Sequence, residues 1–291
     1  MKLATWNINS LKVRVDQLLG WLQQNPIDIV CLQETKLVDE KFPVEPLRAA
    51  GYEAIYSGQP TYNGVAILYR RDLGLTPEDV IVDNPLLADH QKRLLSARFG
   101  SLRVICAYFP NGQSVGSEKY EYKLRWMAAL REWLTQLDAA APAAERVLLG
   151  DFNVAPADED VHDPAAWHGQ VMASEGERAA YRELVALGMH DAFRLFDQPP
   201  RTFSWWDYRQ LGFQRNVGLR IDIVLVSDAL RPRVRACWIE RGIRKLKPPS
   251  DHAPVVVDLA DIQVGARMPE GAGQPAPDSV ANVDGGTLQG I

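Results

Sequence analysis

Short apolar runs typical of buried strands alternate along this chain with segments of helical periodicity, and this alternation limits the folds available to it. The strand-like runs lie at 27–32, 64–69, 102–108, 146–149, 221–226 and 253–259. Helical spacing of apolar residues occurs within 11–22, within 120–137 after a predicted N-cap at Ser117, and over 177–187 before Gly188. The pattern predicts an α/β fold with two layers of sheet flanked by helices.

The last thirty residues differ in composition from the rest of the chain. Positions 262–291 contain no aromatic residue, one basic residue, and nine glycines or prolines. Such a segment cannot bury enough apolar surface to offset the entropy lost on ordering. We therefore expect one folded domain over 1–261 and a disordered, Gly/Pro-rich tail over 262–291.

Composition excludes several classes of protein. The longest apolar runs are too short to span a bilayer and the N-terminus has no secretory-type apolar segment, so we expect a cytoplasmic protein without membrane contact. Cys31, Cys106 and Cys237 lack the spacing of a metal site, which predicts core packing rather than disulfides or zinc. The net charge of −5 argues against a protein that coats nucleic acid through charge alone, although 201–250 carries eleven Lys or Arg against four Asp or Glu.

Polar side chains occur where the predicted strands begin or end. These residues are Asn7, Glu34, Asp151, Asn153, Asp222, Asp251 and His252. Asp and Asn are also ordinary turn formers, and a single Glu after a strand is often a solvated surface residue. The repetition of the pattern at five places favours a shared site at one edge of a sheet.

The residue types suit hydrolysis of a phosphodiester assisted by a metal ion. Glu34 and Asp251, with an amide oxygen from Asn7, are hard oxygen ligands of the kind that Mg²⁺ prefers. Asp222 lies within an apolar run and needs a partner, for which a histidine is the natural choice. His252, oriented by Asp222, could then act on a phosphate oxygen as a base or as a stabilising charge.

Three further residues complete the predicted chemistry. Asp151 and Asn153, two apart across a tight turn, can position and deprotonate a water molecule. Tyr108, at the end of its strand, offers a phenol to the same phosphate. The set predicts metal-assisted hydrolysis without a covalent protein intermediate.

Several motifs in order resemble a known family. They are TWNINS at 5–10, LQETK at 32–36, NGVAI at 63–67, YFPNG at 108–112, GDFN at 150–153, FSWWDYR at 203–209, LRID at 219–222 and SDHAP at 250–254. The chain is similar to the exonuclease III family of apurinic/apyrimidinic (AP) endonucleases, within the endonuclease/exonuclease/phosphatase superfamily. The resemblance covers essentially residues 1–260.

This resemblance implies a four-layer α/β sandwich, with two packed mixed β-sheets flanked by helices. It implies a Mg²⁺- or Mn²⁺-dependent DNA-repair phosphodiesterase that cleaves 5′ to abasic sites in double-stranded DNA. It also implies 3′-5′ exonuclease activity and the removal of blocking groups from 3′ ends. We expect the enzyme to be a monomer.

The resemblance also implies roles for individual residues. Glu34 is the principal metal ligand, helped by Asp251 and Asn7, and Asp151 and Asn153 are the possible ligands of a second metal ion. Asp151 acts on the nucleophilic water or the leaving group while Asn153 holds it. The residues that contact or serve the scissile phosphate are Tyr108, His252 and, through the histidine, Asp222.

The segment at 203–209 favours DNA as the substrate. One of its two tryptophans is expected in the core, while Trp205 is predicted to line a pocket at the DNA. The segment 163–172 is predicted to form a loop at the same cleft. Basic residues predicted to hold DNA phosphates are Lys36, Arg93, Lys119, Lys123, Arg209, Arg215 and Arg220.

Two other functions remain open at this point. A phosphatase of lipid or inositol phosphates would share the catalytic residues, but the segment at 203–209 disfavours it. A catalytically inactive binding module on the same fold is disfavoured because all seven polar residues of the predicted site are present.

Overall fold

The computed structural model describes residues 1–260 and residue 262. Its α-helices are α1 Leu11–Gln24, α2 Val44–Ala49, α3 Glu118–Ala140, α4 Pro164–Trp167 and α5 Glu175–Val185. Its strands are β1 Lys2–Asn7, β2 Ile29–Gln33, β3 Tyr52–Ser57, β4 Val65–Arg70, β5 Glu78–Val82, β6 Leu94–Phe99, β7 Leu102–Tyr108, β8 Glu145–Asp151, β9 Met189–Asp191, β10 Trp205–Trp206, β11 Gly218–Leu219, β12 Asp222–Ser227, β13 Val234–Ile239 and β14 Val255–Leu259.

Two mixed six-stranded sheets form the centre of the fold. The first has the order β13-β14-β1-β2-β4-β3 and the second the order β5-β6-β7-β8-β12-β9. One apolar cluster takes residues from both sheets, for example Cys31 on β2 and Cys106 on β7. Each outer face is covered by helices, with α1 on the first sheet and α3 and α5 on the second. The predicted four-layer sandwich is confirmed.

The helices begin and end close to where the sequence placed them. Ser117 caps α3 as predicted, because its hydroxyl accepts a hydrogen bond from the Tyr120 backbone N–H. α5 begins two residues before the predicted position, because Ser174 and Glu177 form a capping box. Gly188, with a φ of 74°, follows this helix in the left-handed conformation that favours glycine.

The predicted tail lies outside the described residues except for Ile262, which packs against the core between the sheets. None of the helices within 1–260 has the length and apolar character needed to cross a bilayer. Cys31, Cys106 and Cys237 are buried free thiols, as predicted.

Candidate active site

The parallel strand pairs at the centre of each sheet bring the predicted residues to one edge. β1 pairs with β2 so that Asn7 is opposite Gln33, immediately before Glu34. β8 pairs in parallel with β7 and antiparallel with β12, which places Asp151 opposite both Tyr108 and Asp222. Because parallel strands end at the same edge, both sheets contribute polar side chains to one place.

Glycine is required on β8 just before the candidate site. A Cβ added to Gly150 would lie 1.8 Å from the Ala107 carbonyl oxygen on the neighbouring strand. A side chain at position 150 would therefore force β7 and β8 apart. The close approach of the two strands fixes where Asp151 projects.

His252 lies between two aspartates. Its Nδ1 is 2.9 Å from Oδ2 of Asp222, and its Nε2 is 3.7 Å from Oδ2 of Asp151. All three side chains are buried. Burial opposes protonation of the imidazole, but the charges of Asp222, Asp151 and Asp251 outweigh it and raise the pKa of His252 to about 10. The predicted pairing of Asp222 with the histidine is confirmed.

Local hydrogen bonds hold this arrangement in place. The Ser204 hydroxyl accepts from the backbone N–H of Asp222 at 3.0 Å. The Ser250 hydroxyl donates to the Asn7 carbonyl at 2.7 Å and accepts from the backbone N–H of His252 at 3.2 Å. Two buried serines therefore fix the aspartate and the histidine to their strands.

Asp151 is a buried carboxylate beside other acidic groups. Its Oδ2 accepts from the Asn7 amide at 2.9 Å and its Oδ1 accepts from the Asn153 backbone N–H at 2.9 Å. Burial raises its pKa to about 7, with the His252 charge acting against this change and the Asp222 charge acting with it. A carboxyl group with such a pKa can exchange protons near neutral pH.

Glu34 lies beside Asp151 and is surrounded by donors. Its Oε1 accepts from Nδ2 of Asn7 at 2.9 Å and from the Tyr108 hydroxyl at 2.9 Å, and its Oε2 is 2.8 Å from the Lys36 ammonium. Burial acts to raise the pKa of Glu34, but the donors from Asn7 and Lys36 lower it overall. Burial also raises the pKa of Tyr108 well above its usual range, so the phenol stays protonated at neutral pH.

Two asparagines, at and just after the end of β1, connect the acidic residues of the site. Asn7 donates through Nδ2 to both carboxylates, while its amide oxygen accepts from the Asn9 backbone N–H at 3.0 Å. Asn7 therefore bridges the two carboxylates as a donor, and its role as an oxygen ligand of a metal ion stays a prediction. Asn9, which was not singled out from the sequence, donates to Asp251 at 2.9 Å and accepts from Lys36 at 2.7 Å. Its position in the TWNINS motif was the available signal.

Asp251 faces the same cleft on a separate loop. Its Oδ1 accepts from Asn9 and its Oδ2 accepts from the indole N–H of Trp205 at 3.0 Å. Burial acts to raise its pKa, but the charge of His252 and the donated hydrogen bonds lower it overall. Asp251 therefore stays ionised at neutral pH.

The donor set fits a divalent cation. Carboxylates of Glu34, Asp151, Asp222 and Asp251 share the cleft, and donor atoms of Asp151, Asp222 and His252 lie within 4.8 Å of one another. The carboxylate and amide oxygens are the ligands of hard cations, and a cation would offset their mutual repulsion. Within this group of three, Asp222 and His252 are already paired with each other.

Lys123 does not lie at the surface. Its side chain is fully buried and pairs with Glu177 at 2.5 Å, so the prediction that it contacts DNA phosphates is wrong. Arg220 is likewise buried, between Asp160 and Asp191, and the same prediction fails for it. In both cases the basic group forms an ion pair with a carboxylate that is distant in sequence.

The other basic residues lie around the cleft. Arg93 and Lys119 line a cavity of about 580 Å³, and Arg93 stacks 4.8 Å from the centre of the Tyr108 ring. Trp205, Arg209 and Arg215 line a second cavity of about 470 Å³. Lys36 is bound to Glu34 within the site.

The segment at 163–172 also reaches the second cavity. Part of it forms α4 rather than a plain loop, and Trp167 at the end of this helix lines the cavity with Trp205. Trp206 is the tryptophan of the pair that packs in the core, with no exposed surface.

Two facing sheets that join carboxylates, a charged histidine and a phenol at one edge define a metal-dependent phosphodiester hydrolase. Residues 4–252 match the sequence profile of the Endonuclease/Exonuclease/phosphatase family. The chain belongs to this family, and the resemblance found in the sequence is confirmed.

The chain aligns with individual relatives over nearly the whole length of each relative. Exodeoxyribonuclease III of Haemophilus influenzae is 36% identical over 268 residues, which span 88% of this chain and 98% of the relative. A 3′ phosphatase from Neisseria bound to a product DNA hairpin is 42% identical with a TM-score of 0.85, over 89% of this chain and 99% of that structure. An AP endonuclease from Archaeoglobus fulgidus is 34% identical with a TM-score of 0.84, over 90% and 100%. The chain is accordingly a nuclease.

Proposed function

We propose that this chain is a DNA-repair phosphodiesterase that incises double-stranded DNA 5′ to abasic sites and trims nucleotides or blocking groups from 3′ ends. The observation that carries the proposal is the alignment of Asp222, His252 and Asp151 beside Glu34 and Asp251. The names of the relatives support both kinds of cleavage.

The side chains divide the chemistry between them. Asp151, with a pKa of about 7, takes a proton from the attacking water or returns one to the leaving group. His252 stays protonated because of Asp222, and its positive charge stabilises the negative charge that develops on the phosphate. Tyr108 donates to the same phosphate, and Asn153 orients the water.

Glu34 and Asp251 would hold Mg²⁺, or Mn²⁺ in its place. When bound, the ion polarises a phosphate oxygen and neutralises part of its charge. Asp151 and Asn153 are the candidates for a second ion. Asn7 would then position both carboxylates, because its Nδ2 donates to Glu34 Oε1 and to Asp151 Oδ2, each at 2.9 Å.

The two cavities support a position for the DNA on either side of the site. Arg93 and Lys119 on one of them and Trp205 with Arg209 on the other offer phosphate and base contacts next to the reacting groups. Lys36 adds a charge within the site itself. A double-stranded substrate held at both cavities would present one phosphate to Asp151.

We also propose that residues 1–261 form one catalytic domain that acts as a monomer on cytoplasmic DNA. All of the proposed catalytic and metal-binding residues lie in a single chain, which supports the monomer. Gel filtration with light scattering would test this: a mass near 32.5 kDa is expected, and a dimer at working concentration would contradict it.

A cleavage assay tests the function. The protein is incubated with a duplex carrying one abasic analogue, with a recessed 3′ end and with a 3′-phosphate end, each in Mg²⁺ and in EDTA. Cleavage in Mg²⁺ is expected, with loss in EDTA and in Asp151→Asn. Cleavage that persists in EDTA would contradict the metal mechanism. Inactivity on all three DNAs with phosphate release from an inositol phosphate would instead identify a phosphatase.

A further inference from the structure

The buried ion pair of Lys123 and Glu177 lies directly behind the catalytic turn. We propose that this pair positions residues for the reaction. It fixes the backbone of Asn153 and of the neighbouring loops and does not contact DNA. The inference rests on the proposed function, because it concerns the same reaction.

The lysine uses all of its donors within the protein. Its ammonium is 2.5 Å from Oε1 of Glu177, 2.7 Å from the Asn153 carbonyl oxygen and 3.2 Å from the Asn111 carbonyl oxygen. A lysine ammonium has three hydrogens, so no donor remains for an outside ligand. Two of the three bonds go to backbone carbonyls that follow β7 and β8.

The glutamate holds a third loop in the same way. Its Oε1 accepts from the backbone N–H of Met172 at 2.9 Å, and its Oε2 accepts from the Ser174 hydroxyl at 2.6 Å and backbone N–H at 3.2 Å. Met172 in turn accepts from the backbone N–H of Ala155 at 2.7 Å. The ion pair thereby joins the chain after Asn153 to the segment that ends at α5.

Asn153 is held in a left-handed turn by contacts from several sides. Its φ of 49° lies in the left-handed region, which asparagine tolerates better than most residues other than glycine. Its side chain donates to the Phe109 carbonyl at 2.9 Å and accepts from Asn111 at 3.3 Å. Lys123 holds the carbonyls of both asparagines, so it sets the spacing between them.

The lysine stem also shapes the loop after β7. A Cβ added to Gly112, whose φ is 92°, would lie 3.1 Å from Cδ of Lys123. The loop therefore packs closely on the aliphatic part of the same side chain. Backbone and stem contacts together make Lys123 the common support of the loops at 111–112 and 151–153.

Burial separates this role from a DNA contact. Both charged side chains have no exposed surface, and desolvation lowers the pKa of Lys123 while the charge of Glu177 acts to raise it. Lys119 lies one helical turn earlier on α3, is exposed, and lines the cavity with Arg93. The two lysines thus provide a matched comparison of an inner and an outer position on one helix.

The test replaces both charges together. Lys123→Met alone would leave a buried carboxylate without its partner, whereas the double variant Lys123→Met, Glu177→Leu removes both charges with side chains of similar volume, a change that folded proteins often accept. The variant is checked by thermal unfolding, and active-site titration counts the folded molecules. Turnover and DNA affinity are then measured on the DNA that the wild type cleaves best.

We expect kcat per active site to fall by roughly 10- to 100-fold, as when groups that orient a reacting residue are removed. KM and the Kd for DNA should stay at the wild-type values, while Lys119→Met should raise KM and leave kcat in place. A double variant with wild-type kcat per active site would overturn the proposal, and so would one that loses DNA affinity instead of kcat. If the double variant does not fold, Glu177→Gln is measured in its place. Wild-type kcat per active site, or a loss of DNA affinity instead of kcat, would again overturn the proposal.

A wild-type protein that cleaves none of the DNAs would contradict the proposed function instead. In that case the same variants are assayed on the substrate that is cleaved, and the split between kcat and KM still decides the positioning role.

Discussion

Asp222 and His252, thirty residues apart in sequence, form a hydrogen bond in which the carboxylate Oδ2 lies 2.9 Å from the imidazole Nδ1. Both side chains are buried. The contact fixes which ring nitrogen faces the substrate, because Nδ1 is committed to the carboxylate. It also keeps a positive charge in a buried place where an isolated imidazole would lose its proton.

Asp222→Asn tests this contact. The change keeps the shape of the side chain but removes the charge, so the pKa of His252 should fall from about 10 toward its ordinary range. The histidine then loses its proton at a lower pH, and the alkaline limb of the kcat profile should move to lower pH. We expect kcat at neutral pH to drop on the order of 10²-fold. NMR titration of the His252 ring gives its pKa directly in both proteins.

An unmoved alkaline limb in Asp222→Asn, together with an unchanged His252 titration, would show that Asp222 does not supply the charge that holds the proton.

Glu34→Gln tests the metal site. The substitution removes a carboxylate charge and keeps the length of the side chain, so the Mg²⁺ concentration for half-maximal cleavage should rise by at least roughly 10-fold. Metal titration of cleavage measures it, and calorimetry with Mn²⁺ measures binding apart from turnover. Glu132→Gln, on the exposed face of α3, is the matched control. Equal metal requirements in both variants would contradict the assignment of Glu34.

Asp160→Asn tests the buried network behind the site. Burial opposes ionisation of Asp160, but Arg220 and Arg194 outweigh it and lower its pKa. Removing the charge should reduce the free energy of unfolding at pH 7 by about 3–5 kcal/mol, because two guanidinium groups lose a partner. Urea unfolding measures the loss.

The pH dependence of Asp160→Asn has a definite sign. A lowered folded pKa contributes stability that is present above the unfolded pKa of about 3.9 and is lost as the pH falls through the folded pKa. The gap between wild type and variant should therefore shrink on acidification below about pH 4. A constant gap down to strong acid would mean that the ion pairs do not contribute.

Removal of residues 263–291 should leave kcat unchanged and shift the free energy of unfolding by less than about 0.5 kcal/mol. The truncation stops after Ile262 because that side chain packs against the core. Cleavage assays and urea unfolding of the two proteins side by side check it. A large fall in either quantity would show that the catalytic domain extends into this segment.

Strand-end polar residues could be placed from sequence because their geometry follows from strand direction. Asp151, Tyr108 and Asp222 share a register position, and parallel pairing brings Asn7 and Glu34 to the same edge. Buried strands with continuous apolar residues, such as β7, were located directly. The edge strand β5 was not predicted, because its apolar run covers only residues 80–82 and most of the strand is exposed.

Burial of charged residues could not be predicted in the same way. Lys123 lies on the helix that also carries the exposed Lys119, and its partner Glu177 is 54 residues away. One local signal was available, because Lys123 lies three residues after Tyr120 and four before Met127, at the spacing of the buried face of α3. Its charge alone favoured a place at the DNA. The Asn7 amide is a similar case, since only the positions of Glu34, Asp151 and Asn9 determine which of its atoms faces the cleft.

The site draws Glu34 and His252 from one sheet and Asp151, Asp222 and Tyr108 from the other. A chain that has formed only one sheet, as during synthesis or after partial unfolding, carries half of the reacting groups and cannot cut. Activity therefore depends on the docking of the two sheets, which brings the two halves of the site together.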